Sequence, residues 1–352
     1  MTPMERFALR TRFHVTQAAR VGWYASQSAA GTRLAERVSR TLPKMPPPTI
    51  EAPGGIPKRP QLLKHVRKLM ERDLANVEAG LYPMPSVEEG GLYGFLSRRR
   101  HYLEDLPNVV RRRAEKSHQE IDRSAAARPR YYMQNFHFQT DGWLSEESAR
   151  LYDTQVETLF FGAASAMRRQ ALVPIAERAA EVDQRTLRLL DVASGSGSFL
   201  KDLTRAFPRL PVIASDLSEP YVTRARKSLN PSAGGGAIVA PGEGLPFADG
   251  SLDLVTNIYL FHELPPKIRV AVAAEIARVL RPGGQAIIVD SLQTGDTPEL
   301  DGLLELFPQL FHEPYYRSYL TTNFAQLFDG KGVRLEAEWP AFVSKVFVFR
   351  KL

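Results

Sequence analysis

The strongest structural signal in the sequence is residues 190–199, Leu190-Asp191-Val192-Ala193-Ser194-Gly195-Ser196-Gly197-Ser198-Phe199. An apolar run over residues 187–192 predicts a strand before the turn, and an amphipathic run over residues 199–207 predicts a helix after it. Gly195 and Gly197 would let the backbone approach a ligand closely. A glycine turn between a strand and a helix is typical of a nucleotide-binding site.

Beyond this turn, short apolar runs alternate with amphipathic helices. The predicted strands cover residues 212–216, 237–240, 252–258, 285–290, 333–339 and 345–350. The predicted helices cover residues 220–229 and 268–280, and Arg281-Pro282-Gly283-Gly284 is expected to end the second. The alternation predicts a parallel sheet with helices on both faces, whereas the last two strands are too close together for a crossover and must be antiparallel. We expect an α/β fold: a doubly wound, mostly parallel, seven-stranded sheet with a C-terminal antiparallel hairpin.

An acidic residue ends the second predicted strand of this region. Asp216 lies about twenty residues beyond the glycine turn, where a carboxylate can accept hydrogen bonds from both hydroxyls of a ribose. A dinucleotide-binding dehydrogenase would carry a third glycine near Leu200, and its sheet would not end in a reversed hairpin. The turn and the acidic strand end therefore favour a nucleoside cofactor of another kind.

Four segments, in this order and spacing, resemble those of class I S-adenosylmethionine-dependent methyltransferases, especially the small-molecule group of ubiquinone and menaquinone biosynthesis. The segments are residues 191–197, 214–218 (Ala-Ser-Asp-Leu-Ser), 242–247 (Gly-Glu-Gly-Leu-Pro-Phe) and 280–284 (Leu-Arg-Pro-Gly-Gly). The resemblance extends over residues 186–352. It implies methyl transfer as the activity and S-adenosyl-L-methionine as the cofactor.

The resemblance also implies which residues hold the cofactor. Ala193 stands where many members have glycine, and Pro241 stands where Asp or Asn often contacts the adenine. The implied contacts are Asp191, Ala193, Gly195 and Gly197 at the amino-acid end, Asp216 at the ribose, Leu217, Gly242 and Glu243 at the adenine, and Asn257 on the methionine side.

Two polar residues are candidates for catalysis. His262 lies just beyond the strand at residues 252–258, and Asp290 ends the strand at residues 285–290. Ligands of open α/β sheets bind outside the carboxyl ends of the strands, so we expect His262 to face the transferred methyl as a general base. Alternatively, His262 only packs beside the cofactor and Asp290 is a helix cap or hydrogen-bond anchor.

Aromatic residues outside the cofactor motifs are candidates for binding the substrate. Tyr131, Tyr132 and His137 lie in residues 131–143, before the cofactor domain, where relatives place a cap over the active site. Tyr259 follows the fourth strand, and an insert at residues 300–320 contains Tyr315 and Tyr316. Aromatic walls suit a flat or apolar substrate. The alternative is that these side chains only pack neighbouring helices onto the sheet.

The N-terminal half divides into two further regions. We predict a basic N-terminal segment and proline-rich linker at residues 1–60, a mainly helical cap region at 61–183, and the cofactor domain at 184–352. Residues 1–42 are expected to form an Arg-rich amphipathic helix of a cytoplasmic protein, with peripheral membrane contact as a further expectation and an organellar transit peptide as the alternative. Residues 42–60 predict an extended linker or surface strap. The predicted helices cover residues 62–80, 145–161 and 164–182.

The composition limits the chemistry. The chain has 352 residues, a net charge of +7 and no cysteine. A disulfide framework, a thiolate metal site and a cysteine nucleophile are therefore excluded, and no metal site is predicted. The basic segment at residues 90–130, with Arg98-Arg99-Arg100 and Arg111-Arg112-Arg113, is interpreted as a solvated helix face, so a nucleic-acid partner is not expected.

We therefore predict S-adenosylmethionine-dependent methyl transfer to a small, hydrophobic or aromatic metabolite. The alternatives are an RNA or protein methyltransferase and a non-catalytic, cofactor-binding assembly factor. The sequence leaves the oligomeric state undefined.

Overall fold

A computed structural model describes residues 1–85, 91–118, 121 and 128–352. The helices are α1 Pro3–Ser39, α2 Arg59–Glu78, α3 Gly91–Glu115, α4 Glu146–Leu159, α5 Ala164–Arg169, α6 Leu172–Glu181, α7 Ser198–Ala206, α8 Glu219–Arg226, α9 Pro266–Val279, α10 Asp301–Leu310, α11 Tyr316–Tyr319 and α12 Phe324–Leu327. The strands are β1 Leu189–Val192, β2 Val212–Asp216, β3 Gly235–Val239, β4 Leu252–Ile258, β5 Leu280–Ser291, β6 Val333–Ala341 and β7 Ser344–Lys351.

The seven strands form one sheet in the order β3-β2-β1-β4-β5-β7-β6. Strands β1 to β5 pair in parallel, while β7 is antiparallel to both β5 and β6. The predicted α/β architecture with a C-terminal hairpin is confirmed. The order reverses at β1, since β2 and β3 lie on one side of it and β4 and β5 on the other. The carboxyl ends of β1, β2 and β4 therefore border the crevice in which such sheets bind ligands.

Alternate residues of the central strands point to two hydrophobic layers, as the two-residue period of a strand requires. Leu190, Ile288 and Phe347 belong to one layer, which also contains α9 and the C-terminal short helices. Leu189 and Ile287 belong to the other, together with α6 and α7. Side chains of α2 enter both layers, so the N-terminal region shares its core with the sheet.

Two predicted boundaries, those of the helix at residues 164–182 and of the C-terminal hairpin turn, were wrong for identifiable backbone reasons. The helix expected over residues 164–182 is divided into α5 and α6. Pro174 lacks an N–H and would clash with the carbonyl of Gln170 in a continuous helix. The hairpin turn is at residues 342–343, with Phe342 at φ +61, and Pro340 lies inside β6. Proline is tolerated there because β6 is the edge strand.

The segment Arg281-Pro282-Gly283-Gly284 belongs to β5, whereas the sequence predicted only a helix end. The β4–β5 register jumps from the pair Leu252–Leu280 to the pair Leu254–Gln285, so the four residues form a bulge in the strand. Gly283 has φ +78, a conformation that favours glycine and allows the excursion.

The N-terminal helix and the proline-rich segment both pack on the rest of the protein. Phe13 and Tyr24 of α1 are buried, and Gln27 Nε2 donates to Thr158 Oγ1 of α4 at 2.7 Å. Residues 43–58 form a strap across α10, with the Glu51 and Ala52 amides donating to Glu305 Oε2.

Among the described residues, no helix combines the length and apolarity needed to cross a bilayer. The basic runs at residues 98–100 and 111–113 lie on α3. Positions 119–120 and 122–127 of the predicted basic segment lie outside the described residues. The division into three regions and the membrane contact of residues 1–42 stay predictions.

Candidate active site

A cavity of about 1050 Å³, partly open to solvent, lies at the carboxyl ends of β1, β2 and β4. Its floor comes from the sheet and its first turn, and its wall comes from residues 131–143 and α4 of the N-terminal half. Ten of the residues predicted from sequence line it: Asp191, Ala193, Gly195, Asp216, Leu217, Gly242, Glu243, Tyr131, Tyr132 and Tyr259.

The turn after β1 has the backbone that its glycines suggested. Gly195 has φ +54, and a side chain there would extend into open space beside the cavity. Ala193 also has a positive φ, +56, which explains why glycine is favoured at this position. Gly197, at φ +82, does not line the cavity; a Cβ there would lie 2.8 Å from Ala225 Cα, so this glycine permits the packing of α7 against α8.

Two buried carboxylates face the cavity from adjacent strands. Asp216 accepts from the amides of Gly195 at 2.9 Å and Ser218 at 2.8 Å, which fixes the carboxylate toward the turn. Asp191 accepts from Thr256 Oγ1 at 2.6 Å. Burial raises the pKa of Asp216 to about 6 and that of Asp191 to about 7, against these hydrogen bonds. In their ionised form, both carboxylates can bind a cation or accept a hydrogen bond from a hydroxyl.

The segment at residues 131–143 contacts the cofactor motifs directly. Tyr131 donates to Glu243 Oε1 at 2.7 Å, joining the segment to the loop after β3. Tyr132 and Trp143 pack with ring centroids 5.5 Å apart, and both line the cavity. This segment closes one side of the site with aromatic surface.

The two catalytic candidates form a pair beneath the cavity and do not line it. His262 Nδ1 lies 2.6 Å from Asp290 Oδ1, and Asp290 also accepts from the Phe261 amide at 2.7 Å. Burial opposes protonation of His262, but the charge and hydrogen bond of Asp290 outweigh it and raise its pKa to about 9. The raised pKa favours the protonated ring at neutral pH, which supports the alternative that His262 packs beside the cofactor; its role as a general base stays a prediction. Asp290 is fully buried and acts as a hydrogen-bond anchor.

Three further predicted residues lie away from the cavity. Asn257 is fully buried, and its Nδ2 donates to Val192 O at 2.8 Å, so its side chain joins β4 to β1. Tyr316 is buried with its hydroxyl 2.6 Å from Ser291 Oγ. Tyr315 is half-buried, and its carbonyl accepts from Arg269 at 2.7 Å. These contacts support the alternative that the two tyrosines pack and anchor neighbouring segments, and their substrate role stays a prediction.

His137 lies with two glutamates in a buried cluster. Its Nε2 is 3.0 Å from Glu263 Oε1 and also contacts Glu313 Oε1. Burial lowers the pKa of His137, but the two carboxylates outweigh it and raise the value well above its usual range. Of the three, only Glu263 lines the cavity.

Several residues that line the cavity carry no sequence signal that would identify them as site residues. Arg168 is 5% exposed and pairs with Glu157, with the guanidinium 6.0 Å from the Tyr259 ring. Tyr152 and Tyr221 add aromatic surface from α4 and α8. These residues lie in ordinary amphipathic helices, and only the fold shows which helix faces the cavity.

Comparison with known proteins agrees with this arrangement. A methyltransferase domain family matches residues 189–284. The chain is similar to demethylmenaquinone methyltransferase of Beutenbergia cavernae, with 28% identity over 55% of this chain and 74% of that protein. It is also similar to the ubiquinone/menaquinone biosynthesis C-methyltransferase UbiE of Desulfotalea psychrophila, with 32% identity over 35% of this chain and 47% of that protein.

A third relative is fatty-acid O-methyltransferase of Mycolicibacterium smegmatis, with 33% identity over 36% of this chain and 45% of that protein. The chain thus spans about half the length of two of these relatives. The residues present fit the cofactor of this family. Asp191, Asp216 and Glu243 bring carboxylates into one cavity, which suits a ligand with ammonium and sulfonium charges and ribose hydroxyls.

Proposed function

We propose that this chain, a class I S-adenosylmethionine-dependent methyltransferase, methylates a small, hydrophobic or aromatic metabolite. The observation that supports this acceptor class is the aromatic surface of the cavity, to which Tyr132, Trp143, Tyr152 and Tyr221 contribute. The relatives are named for quinone and fatty-acid acceptors, which are also lipophilic. Aromatic side chains offer a flat apolar ligand large contact area and favourable ring geometry.

The cofactor, when bound, supplies a methyl group activated by the sulfonium charge. The chain's own residues would bind the cofactor and orient its methyl group. Asp216 would hold the ribose hydroxyls and Asp191 the amino-acid end, while Glu243 and Leu217 would flank the adenine. Tyr131, tied to Glu243, would close the cavity and exclude water from the reacting atoms.

On the acceptor side, two charged groups line the cavity near Tyr259. Arg168 stays protonated and is held in place by Glu157, so its charge would stabilise an oxyanion of the acceptor. Glu263 is the second group, and its burial raises its pKa. An acceptor whose own hydroxyl is acidic, such as a phenol or a carboxylic acid, fits these groups best.

The acceptor is tested by incubating the full chain with a cell metabolite extract and S-adenosylmethionine that carries a trideuteromethyl group. We expect mass spectrometry to find the label in an organic-soluble metabolite, and none with the Asp216→Asn variant. Label only in RNA or protein would contradict the proposed acceptor class. No label in any fraction, although the cofactor binds, would favour a non-catalytic factor instead.

Cofactor binding should depend on pH because the carboxylates that hold the cofactor have raised pKa values. The cationic cofactor needs Asp216 and Asp191 ionised, and these groups titrate at about 6 and about 7. Affinity is therefore highest above pH 7 and is lost as the pH falls through these values, by roughly tenfold per pH unit for each protonated group. Calorimetry between pH 8 and about pH 5, limits of roughly one unit beyond those values, would measure this. A flat affinity over that range would contradict it.

A further inference from the structure

We propose that His137, Glu263 and Glu313 bind a divalent transition-metal ion at the edge of the acceptor cavity. The three side chains come from three separate segments: the 3-10 turn Phe136–Phe138, the 3-10 turn Phe261–Glu263, and the loop between α10 and α11. One ligand atom from each lies within 4.8 Å of the other two. No pairing within one helix or strand brings them together, so the whole fold is needed to build the cluster.

The spacing of the cluster fits a coordination shell. Zinc and similar ions bind nitrogen and carboxylate oxygen at about 2.0–2.2 Å, so neighbouring ligands of a tetrahedral ion lie about 3.4 Å apart. His137 Nε2 is 3.0 Å from Glu263 Oε1 and in still closer contact with Glu313 Oε1, so the three side chains lie slightly closer together than metal ligands would. A small movement of these side chains away from one another would make room for an ion between them.

Hydrogen bonding within the described residues leaves the cluster incomplete. The Glu313 side chain is fully buried; its Oε1 contacts His137 Nε2, but its Oε2 has no hydrogen-bond partner among those residues. The same holds for Glu263 Oε2. Unpaired buried carboxylate oxygens are costly. A positive ion would supply the missing interaction.

The charge balance also favours a divalent ion. The cluster brings two buried carboxylates to one imidazole ring, and the neighbouring His262 ring is paired with Asp290. A divalent cation with neutral His137 would balance both glutamates. One imidazole and two carboxylates suit Zn²⁺, Mn²⁺ or Fe²⁺ better than Mg²⁺ or Ca²⁺, which prefer oxygen ligands alone.

His262 and Asp290 extend the cluster in the manner of a metal site. His262 Nδ1 is held by Asp290, which directs Nε2 toward Glu263. Metal-binding histidines commonly donate their other ring N–H to a carboxylate in this way. His262 therefore adjoins the cluster through Glu263, and Asp290 is its positioning residue.

The location gives the ion a role that rests on the proposed function. Glu263 is shared between the cluster and the cavity, so an ion bound to it lies beside the acceptor. It would be placed to bind an acidic acceptor's oxygen and to favour its ionised form. The proposed ligands lie up to 176 residues apart in the sequence, from His137 to Glu313 (313 − 137), so their spacing forms no recognisable metal motif.

The direct test is metal binding to the full chain, measured without any methyl acceptor. Protein treated with a chelator is titrated with Zn²⁺, Mn²⁺ or, as a spectroscopic probe, Co²⁺. We expect about one ion per chain, visible Co²⁺ absorption bands, and affinity reduced by more than about 100-fold in both Glu313→Gln and His137→Gln. His312→Gln is the matched control, because His312 adjoins Glu313 but is absent from the cluster.

Thermal unfolding provides a second readout. The ion should raise the Tm of the wild type and of His312→Gln, but not that of Glu313→Gln. Wild-type affinity equal to that of both cluster variants would overturn the proposal. Cofactor calorimetry on the same samples separates the two ideas: cofactor binding without metal binding defeats the metal site alone, while metal binding without cofactor binding defeats the proposed function.

Discussion

Replacing Asp216 with Asn is expected to raise the Kd for S-adenosylmethionine at least about 100-fold, or about 3 kcal/mol. The carboxylate ends β2, faces the cavity, and is oriented by the Gly195 and Ser218 amides. Asn keeps the shape but removes the charge that attracts the cationic cofactor. The substitution would also replace one carboxylate oxygen of Asp216 by an NH₂ donor, which would face one of the two amide donors.

The comparison is made by calorimetry at pH 8, with Asp249→Asn as the matched control. Asp249 has 82% of its side chain exposed, and its partner among the described residues is Arg278 on the surface. The control should bind like the wild type, and circular dichroism should show that both variants fold. An Asp216→Asn affinity within roughly threefold of the wild type would rule out the assigned role.

Arg169→Met is expected to lower the free energy of unfolding by about 3–5 kcal/mol. Arg169 of α5 makes a two-point contact with Asp73 of α2, from Nε at 3.0 Å and Nη2 at 2.6 Å. The two side chains are 3% and 0% exposed. Removing the guanidinium would leave the Asp73 charge buried, and within the part of the chain that the structure describes its remaining donor would be the Tyr82 hydroxyl at 2.9 Å.

Urea unfolding followed by circular dichroism measures this effect. Arg185→Met is the control, because its ion pair with Asp183 is exposed and should contribute less than about 1 kcal/mol. Combining Arg169→Met with Asp73→Leu should recover part of the loss, since no charge is then left unpaired. Equal unfolding midpoints for Arg169→Met and Arg185→Met would show that this pair does not hold α2 against α5.

The parallel sheet and its ligand edge could be predicted from sequence because their signals are local. Each apolar run and each amphipathic helix is a pattern of consecutive residues, so it can be identified from the sequence. Strands β2 and β4 have the predicted bounds. The glycine turn and Asp216 are separated by one helix and one strand. Right-handed βαβ connections place them side by side.

The chemistry around His262 could not be predicted in this way. The sequence shows a histidine after a strand, but not that Asp290 from the neighbouring strand binds it and keeps it protonated. Likewise, Asn257 ends a strand at the cofactor edge, yet its side chain turns to Val192 O. These outcomes depend on side-chain direction and burial, which periodicity alone does not set.

One feature of the sequence is related to the cluster of His137 and two glutamates, although the sequence analysis did not use it. The tripeptide Phe-His-Glu occurs at residues 261–263 and again at residues 311–313. In the structure the two glutamates of these tripeptides meet at His137. A repeated tripeptide in two distant loops gives no geometry by itself, so only the fold shows their proximity.

Calorimetric titration of the full chain at pH 8 with S-adenosylmethionine, its demethylated product and NAD tests the central claim most directly. We predict heats that fit about one site per chain for the first two ligands and none for NAD, because the three carboxylates of the cavity suit cationic groups and disfavour a pyrophosphate. Binding of NAD with no heat from either sulfur ligand would contradict the assignment of this cavity.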